Sequence, residues 1–282
     1  MDLALSDKVV LVTGASGGIG RALAEGFAAE GSRLALTGHS QQEALERWVA
    51  DQPWRERALC LRADVAHSDQ IQSACEAARR HFGRVDVAVV NAGRWPREAL
   101  LLHEAPEERI RTTLEANLLG ALWTARGFLA TLARSGARPD GHGAALCFIG
   151  STAGRFGERH HAEYSVSKAG LYGLVRSLKN EIVELDPYGR VNMVEPGWTV
   201  THMARPELER PGAITAVTRT MPLRQIARAA DIARAVMFLC SPAMARHISG
   251  EVLTVAGGME GRTLWSEAEI DEEAVRRRLS QE

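Results

Sequence analysis

Apolar runs of strand length alternate with segments of helical period from the N-terminus almost to the end of this 282-residue chain. The runs are Lys8 to Val12, Arg33 to Thr37, Ala58 to Ala63, Val85 to Val90, Ala144 to Ile149, Val191 to Val194 and Glu251 to Val255. They are continuous where a strand with one wet face would alternate. A strand apolar on both sides must be covered on both faces, and a regular βαβ order makes the sheet parallel, with helices on each side. The pattern predicts an α/β fold: a doubly wound parallel sheet of about seven strands. No proline- or serine-rich linker and no repeat divides the chain. One domain is expected over residues 1–258, followed by a charged helical extension over 259–282.

Two segments depart from the alternation. Arg134 to Gly143 is polar and rich in glycine and proline, and is expected to form a surface loop before the fifth strand. Trp198 to Leu223 holds several prolines and no sustained period, just after a strand, where open α/β sheets place ligand loops. In the extension, Ser266 and Glu269 have the form of a capping box, with Trp265 and Ile270 at staple positions. They predict a helix from there to about Leu279, either in solvent or docked on a neighbouring subunit.

The first strand runs directly into Thr13-Gly14-Ala15-Ser16-Gly17-Gly18-Ile19-Gly20, which opens the first helix. Glycines at 14, 18 and 20 suit a tight turn, a close backbone approach to a pyrophosphate and close helix–strand packing. The helix N-terminus adds unpaired N–H groups and a partial positive charge. Similar turns join strands and helices that bind nothing, so the loop takes its meaning from the strand before it and the helix after it. Together they indicate a Rossmann-like dinucleotide site. The second strand ends at Leu36-Thr37, followed by Gly38-His39-Ser40, with no acid to hold a ribose 2′-hydroxyl. Lack of that acid removes the main repulsion toward a 2′-phosphate. NADP is therefore the expected coenzyme, with His39 as a donor and NAD as the alternative.

Composition narrows the function classes. With 45% hydrophobic and 24% charged residues the chain suits a folded enzyme, and disorder is excluded. The net charge of -1 without a basic block argues against nucleic acid as partner. No apolar run approaches membrane-spanning length, and Asp2 stands where a secretory signal would carry bases. The scattered cysteines at 60, 75, 147 and 240 read as reduced core residues, so a cytoplasmic location is expected. His160-His161 has no ligand spacing, and no metal site is expected.

Tyr164 and Lys168 lie four apart in a segment of helical period running to about Leu185, so both reach one pocket. A nearby cation favours the phenolate of a group that otherwise titrates near 10. Such pairs are common on solvated helices. Here, however, Ser151 ends the fifth strand, Asn91-Ala92-Gly93 closes the fourth, and Asn117 lies in the helical stretch after it. In a parallel sheet these ends meet at the carboxyl edge, beside the glycine loop.

With these motifs in order from about Asp7 to Gly258, the chain resembles the classical short-chain dehydrogenases/reductases. Thr13 to Gly20 matches TGxxxGxG. Asp64-Val65 resembles the adenine-contacting pair, and Val90-Asn91-Ala92-Gly93 resembles NNAG with Val in the first place. Asn117, Ser151, Tyr164 and Lys168 match the Asn-Ser-Tyr-Lys tetrad. Pro196-Gly197-Trp198-Thr199-Val200-Thr201 resembles PGxVxT, with Thr199 in the Val or Ile place.

The resemblance implies coenzyme contacts from Gly14, Ser16, Gly17, Gly18, Ile19, Gly20, His39, Asp64, Val65, Asn91, Ala92, Gly93, Tyr164, Lys168, Pro196, Gly197, Thr199 and Thr201. It implies Tyr164 as proton donor to a ketone or as acceptor from a secondary alcohol. Lys168 would hold the ribose and lower the phenol pKa, Ser151 would bind the substrate oxygen, and Asn117 would position a relay water. Arg94, Trp95, Arg155, Phe156, His161 and Trp198 are expected to line the substrate pocket. The implied assembly is a homotetramer or homodimer, paired through the helices that carry Asn117 and Tyr164. A reductase using NADPH is the leading reading. Alternatives are an NAD-dependent alcohol dehydrogenase working oxidatively and a catalytically silent NAD(P)-binding sensor or scaffold. An enoyl reductase does not fit, because that type separates Tyr and Lys by more residues. A halohydrin dehalogenase lacks the glycine loop.

Overall fold

The computed structural model describes residues 2–201, 203–263 and 265–279. In chain order the elements are β1 (Val9–Val12), α1 (Gly18–Ala29), β2 (Arg33–Gly38), α2 (Gln42–Ala50), β3 (Ala58–Arg62), α3 (Ser68–Phe82) and β4 (Val87–Val90). Then come α4 (Glu107–Leu114), a π-helical turn (Glu115–Leu119), α5 (Gly120–Ser135), β5 (Ala145–Ile149), α6 (Thr152–Phe156), α7 (Ala162–Leu185) and β6 (Arg190–Pro196). The chain continues through β7 (Thr199–Val200), α8 (Arg205–Leu208), α9 (Ala213–Thr218), β8 (Ala227–Arg228), α10 (Ala229–Cys240), β9 (Val252–Val255) and α11 (Glu272–Leu279).

Seven of the strands form one parallel sheet in the order β3-β2-β1-β4-β5-β6-β9. The order reverses between β1 and β4, and a crevice opens at such a switch point beyond the carboxyl ends of the strands. The continuous apolar runs divide between two cores. Val10, Val12, Leu34 and Leu36 face one side, against Leu23 and Phe27 of α1, Leu45 of α2 and Val236 of α10. Val9, Leu11 and Ala35 face the other, against Ile71 of α3, Phe128 of α5 and Val175 of α7. Each such side chain gains about 1.5–3 kcal/mol by leaving water, which fixes register on both faces at once. The edge strands β3 and β9 are only partly covered.

Three expectations need correction. Arg134 and Ser135 belong to the last turn of α5, and the polar loop starts at Gly136, whose φ is +69°. That loop is tied down: Arg138 bonds the buried Asp86 at 3.0 Å, and Lys8 Nζ reaches Asp140 at 3.0 Å. The segment 198–223 is no bare loop, because it folds into α8 and α9. Leu208, Val217 and Met221 pack there with Met259, Phe156 and Trp198 in a third apolar cluster. Its ends are clipped together by β7 and β8, whose register pairs Thr199 with Ala227. In the extension Ser266 Oγ does bond Glu269, at 2.7 Å, but this closes only a 3₁₀ turn. The helix starts at Glu272, where Asp271 accepts from Ala274 N at 2.9 Å. Trp265 and Ile270 are each 52% exposed and form no staple, and the Trp265 ring instead takes the Arg159 guanidinium at 4.7 Å.

Candidate active site

The glycine loop stands at the carboxyl end of β1. Gly14 has φ +65°, and a Cβ there would lie 2.8 Å from Ala92 Cα. Gly17 precedes α1 in extended conformation with no side chain capping the helix. A Cβ on Gly18 would meet Thr201, the last residue of the PGxVxT-like segment, at 3.1 Å. Asn91 secures the loop, its amide donating to Thr13 O at 2.9 Å and Gly14 O at 3.1 Å. Thr13 Oγ1 in turn accepts from Asn91 N at 3.1 Å and Ala92 N at 3.2 Å. Thr13 opens the motif, yet the sequence assigned it no role.

At the far end of the crevice, His39 is 53% exposed, with Nδ1 3.6 Å from Asp64 Oδ2, and His67 Nε2 lies 3.8 Å from the same oxygen. Asp64 Oδ1 accepts from Ala66 N at 3.0 Å, which fixes the turn after β3. Val65 packs on Gly120. The register of β2 and β3 sets Gly38 beside Arg62, whose side chain is exposed there. Arg62 was missed because strand pairing, not sequence distance, brings it to this point.

Tyr164 and Lys168 share the first turns of α7. Burial pushes the Tyr164 phenol up to about 12, opposed by a hydrogen bond with the Ser151 side chain. Lys168 Nζ donates to Ile149 O at 2.9 Å and lies 5.9 Å from the Tyr164 ring centroid. Burial pulls this ammonium down to about 8. Ser151 caps α6, accepting from Ala153 N at 3.1 Å, so the helix start holds its hydroxyl at the end of β5.

Asn117 lies on the π-helical turn, 1% exposed. Its Oδ1 accepts from Arg94 N at 2.7 Å, and its Nδ2 donates to Arg94 O at 3.0 Å and Ser167 Oγ at 3.1 Å. It therefore ties the loop after β4 to α7, and a Cβ on Gly93 would lie 3.1 Å from its Oδ1. Extra-residue turns of this kind recur at functional sites because they re-aim one side chain. Pro196 ends β6 and Gly197 follows it, where Gly197 N bonds Val255 O at 3.0 Å, and Thr199 Oγ1 donates to Gly197 O at 3.1 Å.

The substrate-side expectations divide. The Trp95 ring meets that of Tyr164 edge-on at 4.6 Å, so it does flank the phenol. His161 is 7% exposed and lies beneath Trp95 in a 4.0 Å stack, its Nε2 3.1 Å from Pro96 O. It supports the pocket wall and does not line the pocket. Arg155 turns away to the buried Glu195, at 3.2 Å. Phe156 and Trp198 join the third apolar cluster under the 198–223 segment. Arg94 engages Asn117 through its backbone, and its side chain is exposed. Arg262 and Glu158, which no motif or spacing singled out, meet at 2.9 Å across 104 residues of chain.

The residues fit a nicotinamide dinucleotide. The glycine cradle would hold the pyrophosphate at the N-terminus of α1, the Asp64 turn the adenine, and Tyr164 with Lys168 the nicotinamide ribose.

Over residues 14–260 the chain matches the family model described as Enoyl-(Acyl carrier protein) reductase. It is 36% identical over 253 residues to an uncharacterized short-chain type dehydrogenase/reductase, y4vI, of Sinorhizobium fredii, covering 89% of this chain and 43% of that longer protein. It is 34% identical over 254 residues to carbonyl reductase family member 4 of Danio rerio, covering 90% and 98% of the two chains. To L-rhamnose 1-dehydrogenase (NAD(P)(+)) of a Sphingomonas species it is 32% identical over 257 residues, covering 90% and 97%. Among solved structures, a short chain dehydrogenase from Burkholderia cenocepacia in complex with NADP superposes with a TM-score of 0.79 at 30% identity, covering 90% and 98%.

Proposed function

The chain belongs to the short-chain dehydrogenase/reductase family and is an NAD(P)-dependent oxidoreductase; from that premise we propose that it reduces a ketone or related carbonyl to the secondary alcohol with NADPH. One observation carries this reading: Ser151, Tyr164 and Lys168 gather beside the glycine loop at one edge of the sheet.

The bound nicotinamide supplies the hydride, and the chain does the rest. Tyr164 gives its phenolic proton to the carbonyl oxygen. The Ser151 hydroxyl, already hydrogen-bonded to that phenol, shares the oxygen and stabilises its growing charge. Lys168 holds the ribose hydroxyls and replenishes the proton, with its ammonium fixed between the Ile149 carbonyl and the phenol ring. Asn117 keeps the Arg94 backbone and α7 in register through its amide, beside the Lys168 that a relay water would serve. Trp95 closes one wall and excludes water from the phenol.

The preference for NADPH rests on the end of β2. No acid follows β2 directly in the chain, and the strand-paired Arg62 offers a donor for a 2′-phosphate, while the His39 ring faces Asp64 at 3.6 Å. The assembly is a homotetramer or homodimer, a reading supported by Leu119, Val166 and Val183, apolar and exposed on the π-helical turn and α7. A cytoplasmic place agrees with the scattered thiols. No described helix is long and apolar enough to cross a membrane.

A panel of aliphatic, aromatic and sugar carbonyls assayed with NADPH and NADH tests the reading. Tyr164→Phe is expected to lower kcat by about 10²-fold or more, with coenzyme Kd nearly unchanged. Turnover within a few-fold of wild type would reject Tyr164 as proton donor. A kcat/KM ratio favouring NADH would return the oxidative, NAD-dependent alternative.

A further inference from the structure

Arg262 comes from the segment after β9, yet it ends beside Thr152, the residue that follows Ser151. Its guanidinium is held four ways, Nη1 donating to Met259 Sδ. Nε donates to Glu158 Oε2 at 2.9 Å, Nη2 donates to Thr152 Oγ1 at 3.0 Å, and the group lies 5.9 Å from the Phe156 ring. The pair is largely shielded, with side chains 12% and 22% exposed. Thr152 follows Ser151 directly and is 2% exposed, so this contact fixes the tail to the residue beside the substrate-binding hydroxyl. Glu158 is itself fixed, its N–H donating to Ser165 Oγ at 2.9 Å in the first turn of α7, next to Tyr164. Two opposite charges thus stand beside Thr152 and Ser165, the chain neighbours of Ser151 and Tyr164, in surroundings too dry to screen them as water would.

We propose that Glu158 and Arg262 are positioning residues acting through Tyr164: each offsets the other's charge at the phenol, so the anchored segment after β9 keeps that proton from being held or released by a single unpaired charge. The groups facing the phenol are Ser151 from β5, Lys168 one turn along α7, Glu158 from the loop before α7, Arg262 from the tail, and Trp95 braced on His161. Glu158 opposes loss of the proton and Arg262 favours it, after the larger effects of burial and Ser151. A rim that only held the pocket shut would need no charge. A rim that tunes a proton needs both signs, held together against drift. The same pairing leaves Arg262 matched, so the pocket presents at this rim a dipole instead of a free cation, which suits an uncharged carbonyl better than a carboxylate.

The inference rests on Tyr164 as the proton-transfer group, so the test reads the phenol itself, independent of turnover. In a Tyr172→Phe/Tyr188→Phe background Tyr164 is the one tyrosine left of 3. Its ionisation is followed by ultraviolet difference absorption in the holoprotein with NADP. Glu158→Gln is expected to lower the midpoint and Arg262→Gln to raise it, each by about one pH unit. Arg262→Lys and the double variant Glu158→Gln/Arg262→Gln are expected to stay near the parent value. A packing role predicts that both single variants admit water and move the midpoint the same way. That result, or no movement in Glu158→Gln, would overturn the proposal. If Arg262→Gln does not fold, Glu158→Gln and Arg262→Lys still decide it. Should Tyr164→Phe keep its turnover while these midpoints move as expected, the functional reading fails and the charge effect stands.

Discussion

Lys168 carries a buried ammonium with no carboxylate beside it among the described residues, and burial alone accounts for its fall to about 8. An unfolded lysine titrates near 10.4, so the unfolded chain holds this proton more tightly than the folded one. Below about pH 8 both states are charged and the penalty is complete. Between pH 8 and about 10.4 it disappears as the folded amine is neutralised. Lys168→Met is therefore expected to raise the thermal stability of the coenzyme-free protein near neutral pH, by on the order of 3 kcal/mol at most. The advantage over wild type should shrink as pH rises through that window, in melts followed by circular dichroism, while activity is lost. An unchanged or lower Tm at pH 7 would contradict it. The sequence placed Tyr164 and Lys168 correctly on one helix face because helical spacing is local. It did not show where His161 and Arg155 point, because their directions depend on partners far along the chain, Pro96 and Glu195.

The element that binds coenzyme tests whether glycines 17 and 20 do different work. A Cβ on Gly20 would overlap the Gly14 carbonyl oxygen and lie 2.7 Å from Ala15 Cα, both backbone atoms that cannot step aside. Gly20→Ala is expected to cost about 1–3 kcal/mol of stability and to weaken coenzyme binding with it. Gly17 is different, because a Cβ there meets only Gly14 O, at 3.5 Å, an ordinary contact. Gly17→Ala should keep a near-native Tm yet bind NADPH at least several-fold more weakly, since the methyl occupies space meant for the pyrophosphate. Thermal melts beside NADPH fluorescence titrations separate the two, and equal stability losses would refute the distinction. The motif's spacing was legible in the sequence, but the division of labour was not, because it depends on which backbone each glycine touches. The two helices in 198–223 were equally hidden. They are short, α8 four residues and α9 six, and they owe their order to the cluster around Leu208, Val217, Met221 and Met259.

At the scale of the whole molecule, the candidate site lies at the carboxyl edge of the sheet and the amino edge is closed by charge. There Lys8, Asp86, Arg138 and Asp140 bind the loop after α5 to β1 and β4. Burial acts to raise the Asp140 carboxyl, but bonds from His142 N–H, Lys8 and Arg138 outweigh it and hold the group below the usual carboxylate range. A depressed carboxylate contributes stability that is complete above its unfolded value, near 3.9, and is lost as pH falls toward the folded value. Asp140→Asn is expected to lower Tm at pH 7 by about 2–4 °C and to converge on wild type in acid. A gap that stays constant from pH 7 to pH 3 would show that the network adds nothing electrostatic. By itself the sequence determined the doubly wound sheet, the glycine loop between its first strand and helix, and the Tyr164–Lys168 pair near Ser151. Strand hydrophobicity, helical period and motif spacing are local, and a parallel sheet has few ways to arrange them. Only the tertiary structure decided which side chains surround the phenol. Trp95 flanks it, His161 braces that ring from beneath, and Arg262 reaches Thr152 across 110 residues. Those contacts arise from how elements pack, and no periodicity along the chain records which distant side chain fills a given space.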